Sequence, residues 1–305
     1  MKIIDLHCDT LWKASATDGY SFFENDGRIT EKGLVDGGYL AQCFAIFTSV
    51  KYKGEDAYKY FEERYLDAEN IFAKCANIAI AKSSAEILEN AKKNKISAVL
   101  TVENGEYLNG KIERLAQTDK RGFKIFGLIH NDENCIGYHH DGEDVNRGLK
   151  PFGKEVVDAI NNTNMAVDVS HLNCGGFWDV VNISKKPVIA THSGCRALKD
   201  YTRNLYDEQI KAIANSGGIV GVPFYDKFLK DTDFTNTEDI VRHIEYIIKI
   251  GGEDTPAIGS DFDGIDCEVF TKNCSGMQIL ANEIEKKFGH NLAEKICYKN
   301  ALRIL

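Results

Sequence analysis

The chain has 305 residues, and 37 Lys and Arg against 46 Asp and Glu give it a net charge of −9 at pH 7. An apolar fraction of 43% with only 4 Pro is typical of a globular protein and excludes extensive disorder. The acidic balance argues against nucleic acid or an anionic membrane surface as a partner.

Eight short apolar runs of β-type composition recur along the chain and alternate with polar stretches of helical periodicity. The runs lie near residues 3–9, 39–48, 97–103, 123–130, 165–171, 187–193, 219–224 and 256–262. The clearest helical stretches are 55–78, 153–162, 205–216 and 237–250. Strands that alternate with helices in this way predict a parallel sheet with right-handed crossovers.

Eight such units in about 300 residues predict an α/β fold of the (β/α)8 TIM-barrel type, with a single domain over residues 1–305. The alternative is an open doubly wound sheet, which normally carries a Gly-rich phosphate-binding turn after its first strand. Here the first strand ends in HCDTLW, without a G-x-G-x-x-G motif, and this favours the barrel.

The cysteine pattern bears on the compartment. The 9 cysteines are an odd number and no two are spaced as C-x-x-C, which argues against a disulfide scaffold, a zinc ribbon or a thioredoxin-like motif. The first residues, MKIIDLHCDT, lack the apolar segment of a signal peptide, and no apolar run approaches the ~18 residues of a membrane span. We therefore expect reduced thiols, packed as small apolar groups, in a cytoplasmic protein without a membrane anchor.

Metal-binding and charged residues occur at the carboxyl ends of six of the predicted strands. Because the carboxyl ends of barrel strands converge on one rim, where barrel enzymes carry their active sites, we expect these side chains to lie together. They are His7, Asp9, Glu103, His130, His171, His192 and Asp261.

The histidines are spaced as metal ligands would be. His7 and Asp9 are two residues apart in a strand, so both face one side while Cys8 faces the other. One imidazole with one carboxylate suits a divalent cation, although a core histidine bonded to a carboxylate would look the same. His171 and His192 end adjacent strands, which lie ~4.8 Å apart, and this favours one shared cation over two separate core histidines.

The remaining strand-end residues have more than one interpretation. Glu103 ends a buried run, where a carboxylate is costly unless it is paired or metal-bound, but it could also form a salt bridge in a loop. Spacing does not decide whether His130 is a metal ligand or a substrate contact. Asp261 and Asp263 share one face of IGSDFDG, and only one of them need be functional. We expect the other histidines to be solvated, rim or helix residues; they are His139, His140, His243 and His290.

An ordered set of motifs extends over nearly the whole chain. It begins with IIDLHCDTLW and continues through Glu103 and LIHND. The most specific block is GLKPFGKEVVDAINNTNMAVDVSHLN followed by KPVIATHSGCRAL, and RNL, IGSDFDG and NALRIL complete the set. In this order the motifs resemble those of the renal (membrane) dipeptidases, binuclear zinc peptidases that are similar to the amidohydrolase barrels.

The resemblance implies a zinc-dependent dipeptidase with two Zn²⁺ per chain. It implies that His7 and Asp9 bind one ion, that His171 and His192 bind the other, and that Glu103 bridges the two. The expected chemistry is attack on the peptide carbonyl by a hydroxide that bridges the ions, while one ion polarises that carbonyl.

The resemblance also implies roles for three further residues. His130 would contact the substrate and stabilise the developing oxyanion, Arg203 of RNL would hold the substrate's terminal carboxylate, and Asp261 would shuttle the proton. The expected partners are a dipeptide, whose preferred stereochemistry at the carboxyl end stays open, and a second copy of the chain in a homodimer. Residues 13–38 and 131–150 are individual to this chain and would border the substrate pocket.

Three alternative functions are open at this point. An amidohydrolase acting on a cyclic amide or lactone would share the strand-end ligands, but many such barrels carry H-x-H in the first strand, where this chain has H-x-D. A phosphatase could use SDFDG as a D-x-D-G motif, but that motif should open a chain. A non-catalytic zinc-binding homologue would have lost a ligand, whereas all candidate ligands are present.

Overall fold

Parallel strands form the centre of the protein, in a computed structural model that describes residues 1–16, 22 and 27–305. The strands are β1 (Ile3–Asp5), β2 (Tyr39–Phe47), β3 (Ile78–Ile80), β4 (Ile96–Glu103), β5 (Ile125–Gly127), β6 (Ala166–Asp168), β7 (Val188–Ile189), β8 (Val220–Val222), β9 (Phe234–Thr235), β10 (Pro256–Ile258) and β11 (Glu268–Val269).

Eight of these strands form a barrel in the spatial order β7-β6-β5-β4-β2-β1-β10-β8. Ala190, just after β7, forms a parallel bridge with Val220 of β8 and so brings the two ends of this path together. Strand β3 pairs with the first residues of β4 outside the path, and β9 pairs with β11 in a separate small sheet. The predicted α/β barrel is therefore confirmed, and β3, β9 and β11 are additions that the sequence pattern did not predict.

Helices follow most of the barrel strands. They are α1 (Thr10–Ala16), α2 (Glu31–Asp36), α3 (Gly54–Ala73), α4 (Ser84–Lys92), α5 (Glu113–Arg121), α6 (Pro151–Ile160), α7 (Cys174–Ile183), α8 (Asp207–Asn215), α9 (Asp226–Leu229), α10 (Thr237–Gly251), α11 (Met277–Phe288), α12 (His290–Glu294) and α13 (Asn300–Ile304). Two 3₁₀ helices, Gly105–Leu108 and Cys274–Gly276, and a π-helix, Lys295–Lys299, complete them. Within the described ranges, no helix combines the length and apolar character that a membrane crossing requires.

Two apolar layers hold the barrel. One buried cluster joins Ile4, Val99, Ile125, Ile189 and Ala257, which belong to five strands around the barrel and can meet only inside it. A larger cluster packs the outward side chains of the strands against the helices. This two-layer core is the arrangement that a closed parallel sheet requires, because both of its faces are covered.

Two glycines allow a close approach of backbone at the barrel wall. A Cβ atom on Gly221 would lie 2.0 Å from the carbonyl oxygen of Thr191, and one on Gly259 would lie 1.8 Å from the same oxygen. Gly221 is the middle residue of β8 and Gly259 directly follows β10, so these two neighbouring strands can approach Thr191 there only without side chains.

Several barrel strands are shorter than the predicted runs, and this difference determines the position of the site. The predicted run 3–9 contains only β1, and the run 165–171 contains only β6. Just after β1 and β6 the backbone amides of His7 and Ser170 donate to the carboxylates of Asp5 and Asp168, the last residues of those strands. The predicted helix 55–78 ends earlier, at Ala73, because β3 begins at Ile78.

Candidate active site

Seven of the eight predicted site residues meet at the carboxyl ends of the barrel strands. They form three overlapping groups whose ligand atoms lie within 4.8 Å of one another: His7, Glu103 and His192; Glu103, His130 and His171; and His7, Asp9 and Asp261. The eighth residue, Arg203, is buried beside them with 3% of its surface exposed. The predicted convergence on one rim is what the barrel produces.

The carboxylate of Glu103, the last residue of β4, lies between two groups of donors. Its Oε1 is 3.3 Å from Nε2 of His171 and 3.9 Å from Nε2 of His192. Its Oε2 is 3.7 Å from Nε2 of His7, which is itself 3.5 Å from Oδ2 of Asp9. One carboxylate therefore directs each of its two oxygens at a separate donor pair, as a ligand shared by two cations would.

The imidazoles of His171 and His192 have an arrangement that is unfavourable in a metal-free protein. Nδ1 of His171 lies 2.7 Å from Oδ1 of Asn131, which can only accept, so the proton of this neutral imidazole is on Nδ1. Nδ1 of His192 lies 2.8 Å from Oγ1 of Thr191, and that hydroxyl gives its own proton to Asp168. Both imidazoles therefore carry a lone pair on Nε2, and these two nitrogens are 2.9 Å apart.

Two facing lone pairs repel unless an electrophile lies near both, so the pair fits a metal cation. Burial lowers the pKa of His171 and of His192 well below the usual range, which keeps both imidazoles neutral and able to act as ligands. Nε2 of His7 is buried and has no hydrogen-bond partner among the described residues, so it too is available.

The carboxylates of the cluster carry more negative charge than the protein around them balances. Burial, and then the Asp9 carboxylate, raise the pKa of Glu103 well above its usual range, and burial raises the pKa of Asp261 to about 8. Burial alone would lower the pKa of His7, but the carboxylates of Glu103 and Asp9 raise it to about 10. Divalent cations would supply the missing positive charge in place of protons, and imidazoles with carboxylates are a zinc-type donor set.

Left-handed backbone occurs at two positions in the cluster. His171 has φ 66° and Asp261 has φ 64°, in a region that non-glycine residues seldom occupy. Backbone hydrogen bonds hold both: the His171 carbonyl accepts from His140, and the Asp261 amide donates to the carbonyl of His7. Such conformations are retained where the surroundings impose them, commonly at functional sites.

A cavity of about 490 Å³ opens over the cluster, and His130 and Asp261 are part of its wall. Its other wall residues include Tyr201, Tyr225 and Phe228, so both ionisable and aromatic side chains line the cavity. A smaller cavity of about 100 Å³ shares His140 and His171 with the first and is lined by Arg203. Cavities of this total size suit a small molecule rather than a folded protein.

Arg203 enters this region with unused hydrogen-bonding capacity. Its Nη1 donates to Oγ of Ser193 at 2.6 Å, while Nε and Nη2 are buried without a partner among the described residues. Burial lowers the pKa of Arg203 to about 10, so the guanidinium is still charged at neutral pH. A buried cation with two free donors is arranged to receive an anion.

His130, which spacing alone left undecided, is in the cavity wall. Its ring centroid is 4.6 Å from that of His171 and 4.6 Å from that of Phe47, which it meets edge-on. Burial lowers the pKa of His130 to about 4, so the imidazole is neutral and offers one N–H.

Sequence reasoning missed some of the cavity wall. We expected His140 to be a solvated or rim residue without a role in the site; it lies at the rim, lines both cavities, and has its Nδ1 2.8 Å from Oγ1 of Thr202. Asn131, which orients His171, had no signal in a single sequence. Asp263 has its side chain directed at Thr10 and the amide of Arg28, so it fixes a loop while its neighbour Asp261 faces the cavity.

Barrels that gather imidazoles and carboxylates on their carboxyl rim are suited to metal-dependent hydrolysis. The family model described as membrane dipeptidase, peptidase family M19, matches residues 1–305, and the chain therefore belongs to this family of metallo-dipeptidases. The resemblance that the motifs indicated is confirmed.

Known proteins resemble this chain over most of its length. An uncharacterized Klebsiella pneumoniae protein from the pqqA 5′ region is 35% identical over 73% of this chain and 86% of its own length. A metallo peptidase from Rhodobacter sphaeroides, liganded with a phosphinate mimic of the dipeptide L-Ala-D-Ala, has a TM-score of 0.93 and 22% identity over 100% of this chain and 98% of that one. The probable dipeptidase PvdM of Pseudomonas aeruginosa has a TM-score of 0.89 and 21% identity over 100% and 94%. At 22% and 21% identity, these two structures show that this chain shares their fold.

Proposed function

We propose that the protein hydrolyses dipeptides with the help of two zinc ions, held at the rim of the barrel. His7 and Asp9 would hold one ion, His171 and His192 the other, and Glu103 would be shared. The observation that carries the proposal is the position of Glu103, whose two oxygens face the two donor pairs separately. When bound, the ions would acidify water and polarise the scissile carbonyl.

Asp261 is proposed to move the proton. It belongs to the cavity wall, and its Oδ1 lies 3.9 Å from Nε2 of His7. Cations held beside it would favour its ionised form, and that form can accept a proton. It could take a proton from the attacking water at Oδ1 and deliver it to the leaving amine, which is the work of a general base and then a general acid.

His130 is proposed to stabilise the oxyanion of the tetrahedral intermediate. Its neutral imidazole can donate one N–H toward a carbonyl oxygen on which negative charge develops. Because Phe47 packs against the edge of the ring, the donor is held in place before the substrate arrives.

Arg203 is proposed to bind the free carboxylate of the substrate. Its two unused donors match the two oxygens of a carboxylate, and the buried site would exclude a longer peptide. This supports a dipeptidase over an amidohydrolase for cyclic amides or lactones, which bring no carboxylate. The Rhodobacter metallo peptidase is liganded with a mimic of L-Ala-D-Ala, and we extend that substrate class, with an L- or D-residue at the carboxyl end, to this chain.

The test combines metal analysis with a substrate panel. We expect two zinc equivalents per chain, and hydrolysis of L-Ala-L-Ala and L-Ala-D-Ala but not of N-acetylated, amidated or cyclic dipeptides. His171→Ala and His192→Ala should lose bound zinc and activity, whereas His290→Ala, on the surface beside Glu285, should keep both. Full activity in either cluster variant, or preferential turnover of a cyclic amide, would refute the proposal. Light scattering on the same preparation tests the homodimer that the family resemblance implies.

A further inference from the structure

The carboxylate of Asp168 ties together the two strand ends that carry His171 and His192. Asp168 is the last residue of β6 and is only 4% exposed. Its Oδ1 accepts from the amides of Ser170, at 2.9 Å, and Thr191, at 3.0 Å, and its Oδ2 accepts from the hydroxyl of Thr191 at 2.6 Å. One side chain thus fixes the turn before His171 and the residue immediately before His192.

The carboxylate of Asp5 makes the same three bonds on the other side of the cluster. Asp5 is the last residue of β1 and is fully buried. Its Oδ1 accepts from the amides of His7, at 3.3 Å, and Ser260, at 2.8 Å, and its Oδ2 accepts from the hydroxyl of Ser260 at 2.5 Å. It thereby ties the strand end that bears His7 to the one that bears Asp261.

The two arrangements match bond for bond. In each, an aspartate ends a strand and accepts the amide two residues further on, together with the amide and hydroxyl of a Ser or Thr on the neighbouring strand end. In each, that Ser or Thr directly precedes a residue of the cluster. Within the described ranges each buried carboxylate is satisfied by these amide and hydroxyl donors rather than by a salt bridge.

We infer that Asp5 and Asp168 are positioning residues of the metal site, each of which fixes the donors of one half. The inference rests on the proposed function, because it assigns the His7 and Asp9 half to Asp5 and the His171 and His192 half to Asp168. Partners that orient metal ligands from outside the coordination shell typically change metal affinity 10–100-fold when they are lost.

Asp168 also sets which nitrogen of His192 carries the proton. A carboxylate can only accept, so Thr191 must donate to Asp168 and is left to accept from Nδ1 of His192. An amide at position 168 can present its NH₂ to that hydroxyl instead. Thr191 would then donate to Nδ1, and the proton of His192 would move to Nε2, the nitrogen that faces His171.

The test uses zinc binding by the metal-free protein, measured by competition with a chromogenic chelator. Asp168→Asn and Asp5→Asn should each weaken one of the two zinc equivalents about 10–100-fold and leave the other unchanged. Asp119→Asn is the matched control. Asp119 lies in α5, outside the metal cluster, and its carboxylate likewise accepts a hydrogen bond from a backbone amide, that of Asn164. In Asp168→Asn, the ¹⁵N shifts of the metal-free protein should place the proton of His192 on Nε2.

A pair of variants at position 191 separates positioning from folding. Thr191→Ser keeps the hydroxyl and should retain both zinc affinities, whereas Thr191→Val removes it and should weaken one of them about 10–100-fold. Wild-type affinity for both equivalents in the two aspartate variants, with only a lower melting temperature of the metal-free protein, would overturn the inference. If the wild-type protein itself binds no zinc, the proposed function fails and the inference falls with it.

Discussion

Replacing Arg203 by Met should reduce dipeptide hydrolysis through loss of carboxylate binding. Methionine has a similar length and no charge, so it removes the guanidinium with little change in the packing of the buried site. The side chain now makes one protein hydrogen bond, from Nη1 to Ser193, and keeps Nε and Nη2 free. Those two donors are the ones that a substrate carboxylate would use.

The size of the effect follows from those two donors. A hydrogen bond between charged partners contributes about 1.5–3 kcal/mol, so two of them contribute about 3–6 kcal/mol. At 1.4 kcal/mol for each tenfold change, kcat/KM for a dipeptide should fall roughly 10²–10⁴-fold in Arg203→Met. If the carboxylate is bound equally in the ground and transition states, the loss will be mostly in KM.

The assay compares L-Ala-L-Ala with its carboxyl-terminal amide by following alanine release. The wild-type enzyme should prefer the free acid by a large factor, and Arg203→Met should show almost no preference, because the amide has no carboxylate to lose. Ser193→Ala controls for the bond that Arg203 makes within the protein. Arg196→Met controls for a general loss of positive charge, since Arg196 lines the same smaller cavity but is paired with Asp200 at 2.8 Å.

Two results would refute this reasoning. One is a variant that retains wild-type kcat/KM for the free dipeptide, which would mean that the free donors of Arg203 do not face the substrate. The other is an equal loss for the acid and the amide, which would mean that Arg203 acts on the fold or on the metal ligands rather than on the carboxylate.

Three further predictions concern other parts of the molecule. Asp261→Asn should retain both zinc equivalents but lower kcat about 10²–10⁴-fold, and loss of zinc would make Asp261 a ligand instead. Burial lowers the pKa of His243 to about 4, below about 6.5 when unfolded, so the fold favours the neutral form and its stability is lost as the pH falls from about 6.5 toward 4. The free energy of unfolding, measured with urea, should therefore fall more steeply with decreasing pH in the wild type than in His243→Asn, by up to about 1.4 kcal/mol per pH unit. Equal pH slopes for the two proteins would contradict this. Gly259→Ala should lower the free energy of unfolding by about 3 kcal/mol, because its Cβ would lie 1.8 Å from the Thr191 carbonyl, whereas Gly142→Ala, with 3.5 Å to its nearest neighbour, should change little.

The barrel and the meeting of the ligands could be predicted because both follow from chain order. In a parallel barrel, successive strands are usually neighbours, so the spacing of His171 and His192 by one β/α unit placed them side by side. The contact between His7 and Asp261 required only that the sheet close on itself, so that the first strand meets the last barrel strand, β10. His7 and Asp9 also lie together as expected, 3.5 Å apart, although they follow β1 rather than continue it as a strand.

The loops and the supporting hydrogen bonds could not be predicted in the same way. His140 lies in a segment without periodicity, so nothing in its spacing indicated that the loop turns it back toward the cavity. Asp5 and Asp168 occur within apolar strand runs, where one polar residue is also typical of ordinary alternation. Their role depends on which hydroxyl lies on the neighbouring strand end, and that is a property of register rather than of sequence pattern.

The donor cluster is the least favourable part of this fold when only the protein is considered. Imidazole lone pairs face each other, buried carboxylates are packed together, and His171 and Asp261 occupy left-handed backbone. A flexible rim would relax each of these features, by rotating an imidazole or exposing a carboxylate to water. Such relaxation is opposed below by the apolar interior of the barrel, and across the ends of β1 with β10 and of β6 with β7 by Asp5 and Asp168. A rigid rim keeps these unfavourable features and so lowers the stability of the metal-free protein. The same rigidity means that little rearrangement is needed when a cation binds, and this favours a high metal affinity.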